Sequence, residues 1–275
     1  MWVVKASGET ERFDPKKIKR TCLKAGASED LANKIAKEVE KKAYNGISTK
    51  EILHITLSLL NKEKPEIASR YDLKGAIFRL GPAGFTFEHL VAEIFKEYEY
   101  LTKVHSIIRG ACVSHEVDVI ATKGNDNYMV ECKYHNIPGI YTGLREVLYT
   151  FARFLDLQEG FKKGFCKKFN QPWLVCNTKF SDDAIQYAIC KDMKLIGWNY
   201  PENEGLEYLI EKKKLYPITM LRTLDLDSQE KLAEAGLVLI KDLFTINIKE
   251  LSELTKINKS KLAIFSEEAR RIYYG

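Results

Sequence analysis

Two carboxylates and an ammonium group recur at short spacing in the middle of the chain. The first stretch is Glu116-Val117-Asp118-Val119-Ile120-Ala121; the second is Met129-Val130-Glu131-Cys132-Lys133-Tyr134. Side chains alternate across a strand, so Glu131 and Lys133 share one face while Val130, Cys132 and Tyr134 take the other. The intervening Lys123-Gly124-Asn125-Asp126-Asn127 reads as a turn. Antiparallel pairing through that turn brings Asp118 back to the level of Glu131 and Lys133. Carboxylate oxygens are hard ligands suited to Mg²⁺, which keeps waters and accepts phosphate oxygens. Such a metal lowers the pKa of a bound water and offsets charge at phosphorus, and a lysine beside it can orient the water or steady the developing negative charge. A structural ion pair on a solvated strand face is the competing reading of the same residues.

Several elements must position this set. Phe85–Tyr98 has apolar residues at helical spacing (Phe87, Leu90, Val91, Ile94, Phe95). Strands are expected at Val117–Thr122 and Tyr128–Tyr134. A long helix follows over about Tyr141–Leu157, then an apolar strand Trp173–Cys176, a helix from Ser181 and a last strand at Leu195–Trp198. Strands alternating with helices predict an α/β domain. His135 shares the Glu131 face and is a second candidate for phosphate contact.

With these elements in order, the segment resembles the PD-(D/E)xK nuclease superfamily, and its Mrr-like type IV restriction branch in particular. Phe87-Glu88-His89-Leu90-Val91-Ala92 fits the branch's opening helix, and Phe180-Ser181-Asp182-Asp183-Ala184 fits its closing helix start. The resemblance implies a restriction-endonuclease-like mixed sheet flanked by helices, acting as a Mg²⁺- or Mn²⁺-dependent endonuclease on DNA. It makes Asp118 and Glu131 the metal ligands, Lys133 the water-orienting or charge-stabilising group, and Glu88 an auxiliary acid. Relatives often carry glycine just before the Asp, where this chain has His115-Glu116-Val117. A domain that keeps DNA binding without turnover is the alternative.

The N-terminal segment opens with short strands at Trp2–Lys5 and Thr10–Phe13, then Asp14-Pro15, a strong helix start. Helices are expected at Ser28–Ala43, Thr49–Leu60 and Ile67–Leu80. Lysines and helix N-termini both favour anions. Val3-Val4-Lys5, Gly8, Phe13-Asp14 with Lys17-Ile18, and Gly46-Ile47-Ser48-Thr49 resemble the ATP-cone, a regulatory nucleotide-binding module. The resemblance implies an ATP or dATP ligand, with Lys5 and Lys17 on phosphates and Glu11 and Thr49 toward the nucleoside or metal end. Ala6-Ser7 stand where the family usually has Arg-Asp. A basic cap or nucleic-acid contact is the other reading of these lysines. No Gly-x-x-x-x-Gly-Lys-Ser/Thr loop occurs, so ATP is expected to be sensed, not consumed.

Beyond Tyr216 short helices are expected at Ser228–Ala235, Ile240–Leu243, Ile248–Leu254 and Lys259–Tyr273. Their rhythm resembles tandem helix–hairpin–helix modules, which imply sequence-independent DNA binding. Lys256-Ile257-Asn258 replaces the usual Gly-x-Gly hairpin, so phosphate contact falls to Lys256, Lys259 and Lys261; structure or protein docking is the alternative. The basic loop with Lys162, Lys163, Lys167 and Lys168 is a further candidate for strand contact, or simply a solvated charge run.

Composition frames these readings. The 275 residues, 45% hydrophobic and 29% charged, are of ordinary globular type. Net charge is +5, with an acidic middle (14 basic against 17 acidic over 85–210) between basic ends. Gly81-Pro82-Ala83-Gly84 punctuates the chain, giving expected domains 1–84, 85–212 and 213–275. No apolar run approaches the ~20 residues of a membrane span, and no apolar leader opens the chain. The six cysteines lack a CxxC pair, which disfavours a tetrahedral zinc site, and the lack of an export signal disfavours disulfides. The expected setting is cytoplasmic, with DNA and a nucleotide as partners, no membrane, and homodimerisation left open.

Overall fold

The computed structural model describes residues 1–81 and 85–275; Pro82, Ala83 and Gly84 of the expected Gly-Pro boundary lie outside the described residues. The chain divides into two compact units, one of Met1–Arg79 with Tyr216–Gly275 and one of Leu80–Leu215.

In the first unit β1 (Trp2–Val4) pairs antiparallel with β2 (Thr10–Arg12) and parallel with β3 (Ile47–Ser48). The first three helices each begin at a capping side chain. Asp14 accepts the N–H of Lys16 at 2.9 Å to open α1 (Pro15–Lys24), Ser28 caps α2 (Glu29–Lys42), and Ser48 caps α3 (Thr49–Glu63). Their apolar stripes meet in a core that includes Ile18, Cys22, Ile35, Val39, Leu60 and Ile67. The single helix expected over 67–80 is two, α4 (Pro65–Tyr71) and α5 (Leu73–Phe78). The break falls at Asp72, whose carboxylate folds over Gly75, where a Cβ would collide with it, and pairs with Arg79 at 2.7 Å.

The second unit runs α6 (Phe85–Glu97), β4 (Leu101–Arg109), β5 (Ser114–Lys123), β6 (Asp126–Lys133), β7 (Tyr141–Thr142), α7 (Leu144–Lys162), β8 (Gln171–Cys176), β9 (Lys179–Phe180), α8 (Asp182–Cys190), β10 (Lys194–Ile196) and α9 (Leu206–Lys213). One five-stranded sheet has the order β10-β8-β6-β5-β4, antiparallel among β4, β5 and β6 and parallel among β6, β8 and β10. β7 and β9 form a separate parallel ribbon. This is the mixed α/β sheet the sequence predicts. Sequence pattern passes over α9, the β7–β9 ribbon, whose first strand takes Tyr141 and Thr142 from the expected helix, and the edge strand β4, whose apolar Leu101 and Ile107 are 78% and 68% exposed.

The C-terminal residues complete the first unit with α10 (Leu226–Glu234), α11 (Asp242–Thr245), α12 (Ile248–Thr255) and α13 (Lys259–Tyr274). They dock on α4 and α5 through specific polar anchors. The Arg70 guanidinium donates to the carbonyls of Ala25 (2.7 Å) and Ile272 (3.2 Å), and the Thr219 hydroxyl donates to the Ala76 carbonyl at 2.7 Å. None of the helices among the described residues is long and apolar enough to cross a membrane.

Candidate active site

The register of β5 against β6 is Val119 opposite Val130 and Ala121 opposite Tyr128, and the ladder ends one step short of Asp118 and Glu131. At that step the side chain takes over from the ladder. Asp118 Oδ2 accepts the backbone N–H of Cys132 at 2.7 Å, which pins the carboxylate between Glu131 and Lys133. The structure thus brings three of the predicted site residues together. Lys133 acts electrostatically on Glu131, lowering its carboxyl's proton affinity.

Glu88, in the first turn of α6, is the fourth. Its carboxylate lies 3.1 Å from Nδ1 of His105 on β4, and the same nitrogen is 3.5 Å from Glu116. Burial pushes the Glu88 carboxyl up to about 7, with Asp118, Glu116 and Glu131 adding repulsion. Burial also raises Asp118 and Glu131, and Asp118 raises Glu131 further. Crowded, half-dehydrated carboxylates of this kind favour a cation.

Arg153 supplies one cation. Its guanidinium, almost fully buried, donates to the Glu131 carboxylate and to the Glu116 carbonyl and packs over Tyr149 at 5.3 Å. The depth of Arg153 is set by how α7 seats. Asp156 accepts the N–H groups of Cys112 (2.8 Å) and Val113 (3.3 Å) and lies 2.7 Å from His115 Nε2. Gly160 meets the Gly110 backbone so closely that a Cβ would lie 2.9 Å from it.

The donor chemistry fits Mg²⁺ or Mn²⁺. Asp118 and Glu131 offer hard oxygens, and among the described residues no group of three or more His, Cys, Asp or Glu side chains forms a metal cage. A two-carboxylate site that leaves positions for water and phosphate is what Mg²⁺ uses.

Sequence reading missed Arg153 and His105. Arg153 did carry a signal: it falls in the stripe Val147, Thr150, Arg153, Leu157 that α7 buries, so an arginine stands at a core-facing position. His105 lies in the unforeseen β4, at a left-handed backbone φ of 48°. His135, the other phosphate candidate, is held instead by Thr142, 3.0 Å from Nε2, and by Asn177 on its backbone N–H and carbonyl.

In the first unit, Glu11 bridges Lys17 (2.9 Å) and Lys5 (3.6 Å). Glu11, Lys17 and Thr49 line one cavity of about 170 Å³ with Phe13, Ile52 and Tyr71. Of the predicted DNA-contacting lysines, Lys162, Lys163, Lys167 and Lys168 are exposed at and beyond the end of α7. Lys256 and Lys259 are exposed where α12 turns into α13. Lys261, still partly exposed, is paired 2.5 Å from Asp225, the N-cap of α10. Ile257 is buried, so this turn tucks an apolar side chain where a Gly-x-Gly hairpin would present backbone.

Known families match the chain in three consecutive stretches: an ATP cone domain over residues 1–73, a restriction endonuclease domain over 82–199, and the AF1548-like C-terminal domain over 216–273. An uncharacterized protein of Archaeoglobus fulgidus is 44% identical over 182 residues, 66% of this chain and 99% of that protein. The chain belongs to the AF1548-like family. A solved relative, the crystal structure of the protein of unknown function AF1548, superposes with a TM-score of 0.62 at 43% identity, over 70% of this chain and 98% of that one. A second Archaeoglobus fulgidus protein is 49% identical over 39 residues, 14% of this chain and 83% of its own. The resemblances read in the sequence, to an ATP-cone followed by an Mrr-like nuclease domain, are borne out in this family member.

Proposed function

We propose that the protein is a metal-dependent DNA endonuclease whose activity responds to ATP or dATP bound at the N-terminal cone. One observation carries this reading: the Asp118 carboxylate is fixed by the Cys132 N–H between Glu131 and Lys133. A solvated surface pair would not bury these carboxylates and raise their proton affinity.

Asp118 and Glu131 would hold Mg²⁺, which when bound lowers the pKa of a water and offsets phosphate charge. Lys133 holds an ammonium beside Glu131, where it orients the attacking water or steadies the developing charge on a phosphate oxygen. Glu88, with its carboxyl near 7, can hold or release a proton at neutral pH at the edge of the same site. Arg153 balances the carboxylates and holds Glu131 in position. DNA backbone contact would come from Lys162, Lys163, Lys167 and Lys168, and from Lys256 and Lys259.

The Arg153 pairing also favours a second reading, in which a guanidinium permanently neutralises Glu131 and the domain binds DNA without cleaving it. Incubating supercoiled plasmid with the protein and Mg²⁺ or Mn²⁺ separates the two. Nicking that Lys133→Ala and Asp118→Asn abolish supports the enzyme. Binding without nicking in either metal supports the second reading.

A further inference from the structure

Away from the carboxylates, the nuclease unit carries a cavity of about 350 Å³, within the ~300–1,000 Å³ usual for small-molecule sites. Its walls are aromatic. Phe95 and Trp173, both nearly fully buried, meet edge-on at 5.4 Å between ring centres as its floor, Tyr100 meets Trp173 at 5.6 Å, and Tyr98, Tyr100 and Tyr208 are the lining rings that keep exposed surface. Trp173 lies opposite Val130 in the β8–β6 register, so it occupies the sheet face opposite Glu131. A planar group can lie against the partly exposed tyrosine rings above that floor.

Lysines accompany these rings. Lys194 lies 5.0 Å over Trp173 and Lys212 lies 5.3 Å over Tyr208, and both line the cavity. Lys213 sits 4.6 Å over Tyr98 and Lys123 4.9 Å over Tyr100. Carboxylates offset part of this charge: Glu204 is 3.4 Å from Lys194, and Glu99 is 3.6 Å from Lys123. Lys212 has no such ion pair among the described residues and stays exposed beside the opening. Asn203, also in the lining, offers an amide donor and acceptor. An aromatic cage with a carboxylate alone would suit a cation, but two ammonium groups in the lining oppose one. Aromatic walls with lysines suit a planar ring that carries an anion.

We propose that this cavity binds a nucleotide, its base against the aromatic walls and its phosphate on Lys212. Tyr208 and Lys212 are one helical turn apart on α9, which sets ring and ammonium side by side. The same chemistry is presented by a free nucleoside monophosphate and by an unpaired nucleotide of a strand. The site is separate from the carboxylate cluster and does not depend on hydrolysis.

The test is calorimetric titration of the full chain with thymidine 5′-monophosphate, thymidine, and a short single-stranded oligothymidylate. Thymidine 5′-monophosphate is expected to bind saturably and more tightly than thymidine. Tyr208→Ala should weaken it roughly 5- to 150-fold, the range for losing one stacking platform. Lys212→Ala should erase the advantage of the monophosphate over thymidine. Both side chains are at the surface, Tyr208 being 39% exposed, and an unchanged melting temperature verifies that each variant folds. A Lys5→Ala/Lys17→Ala variant should bind the monophosphate as the wild type does. Tighter binding of the oligothymidylate identifies the strand as the source, and equal binding identifies the free mononucleotide; both uphold the site. No saturable binding at millimolar ligand, binding unchanged in Tyr208→Ala and Lys212→Ala, or binding lost in the Lys5/Lys17 variant would overturn it.

Discussion

Asp118 Oδ2 accepts the backbone N–H of Cys132 at 2.7 Å, one residue from both Glu131 and Lys133. This bond separates two roles of one carboxylate, holding the strand and offering oxygen to a cation. Asp118→Asn retains an acceptor for the N–H, so the fold should persist while Mn²⁺ binding by calorimetry weakens at least tenfold. Asp118→Ala also leaves the Cys132 N–H without its partner and should cost a further ~1–3 kcal/mol in urea denaturation. Glu131→Gln should weaken Mn²⁺ binding in the same way. Unchanged Mn²⁺ binding in both Asp118→Asn and Glu131→Gln would remove the metal assignment.

Arg153 and Glu131 form a buried pair, and removing one member strands the other. Arg153→Met should destabilise the protein by ~3–5 kcal/mol in urea denaturation. Glu131→Gln in the same chain removes the stranded charge and should restore part of that loss. Additive effects of the two substitutions would show that the pair is not energetically coupled.

Glu88 gives a pH dependence of defined sign. Its carboxyl is raised by burial from an ordinary 4.5 to about 7. The stability it contributes is therefore complete below 4.5 and is lost as pH rises through about 7. Wild type should lose more stability across that window than Glu88→Gln, as read by melting temperature in matched buffers. Parallel curves for the two proteins would contradict the raised carboxyl.

The cone makes a ligand prediction. A ligand bound only by the folded state stabilises by RT ln(1 + [L]/Kd), about 2.7 kcal/mol at a hundredfold excess over Kd. ATP or dATP should raise the melting temperature, and Lys5→Ala and Lys17→Ala should each shrink the rise. No shift at millimolar nucleotide would leave the cone as scaffolding.

DNA grip is tested by point substitution, because residues 216–275 share a unit with 1–79 and their removal would strip the partners of Arg70 and Ala76. Lys256→Ala with Lys259→Ala should lower the slope of log K against log salt by up to ~1.8, at ~0.9 for each lost phosphate contact. Lys261→Ala should change it little, since that ammonium is committed to Asp225. If the slope is unmoved by Lys256 and Lys259, the exposed Lys162, Lys163, Lys167 and Lys168 are the next to substitute.

Local physics was legible in the sequence wherever one or two residues decide the outcome. Asp14-Pro15, Ser28, Ser48 and Ser181 start helices because a short polar side chain can satisfy an orphan N–H by itself. The period-2 pattern and the Gly124 turn were enough to set Asp118 near Glu131 and Lys133, because an antiparallel hairpin fixes its own register. Edge strand β4 was not legible, since its exposed leucine and isoleucine blur the alternation that marks a half-buried strand.

Tertiary structure decided what depends on residues distant in the chain. Arg153 reaches Glu131 only because α7 is seated by Asp156 and Gly160 against the β4–β5 turn, a relation spanning some 40 residues of sequence that no local pattern encodes. His105 joins Glu88 for the same reason. Lys261 reads as a free charge in sequence and proves to be paired, because which ammonium faces solvent depends on where α10 places Asp225. Residue types and spacing thus determined the carboxylate–lysine set. The packing of helices on the sheet determined its burial, its raised proton affinity and its guanidinium partner, since desolvation and long-range pairing exist only once the chain is folded.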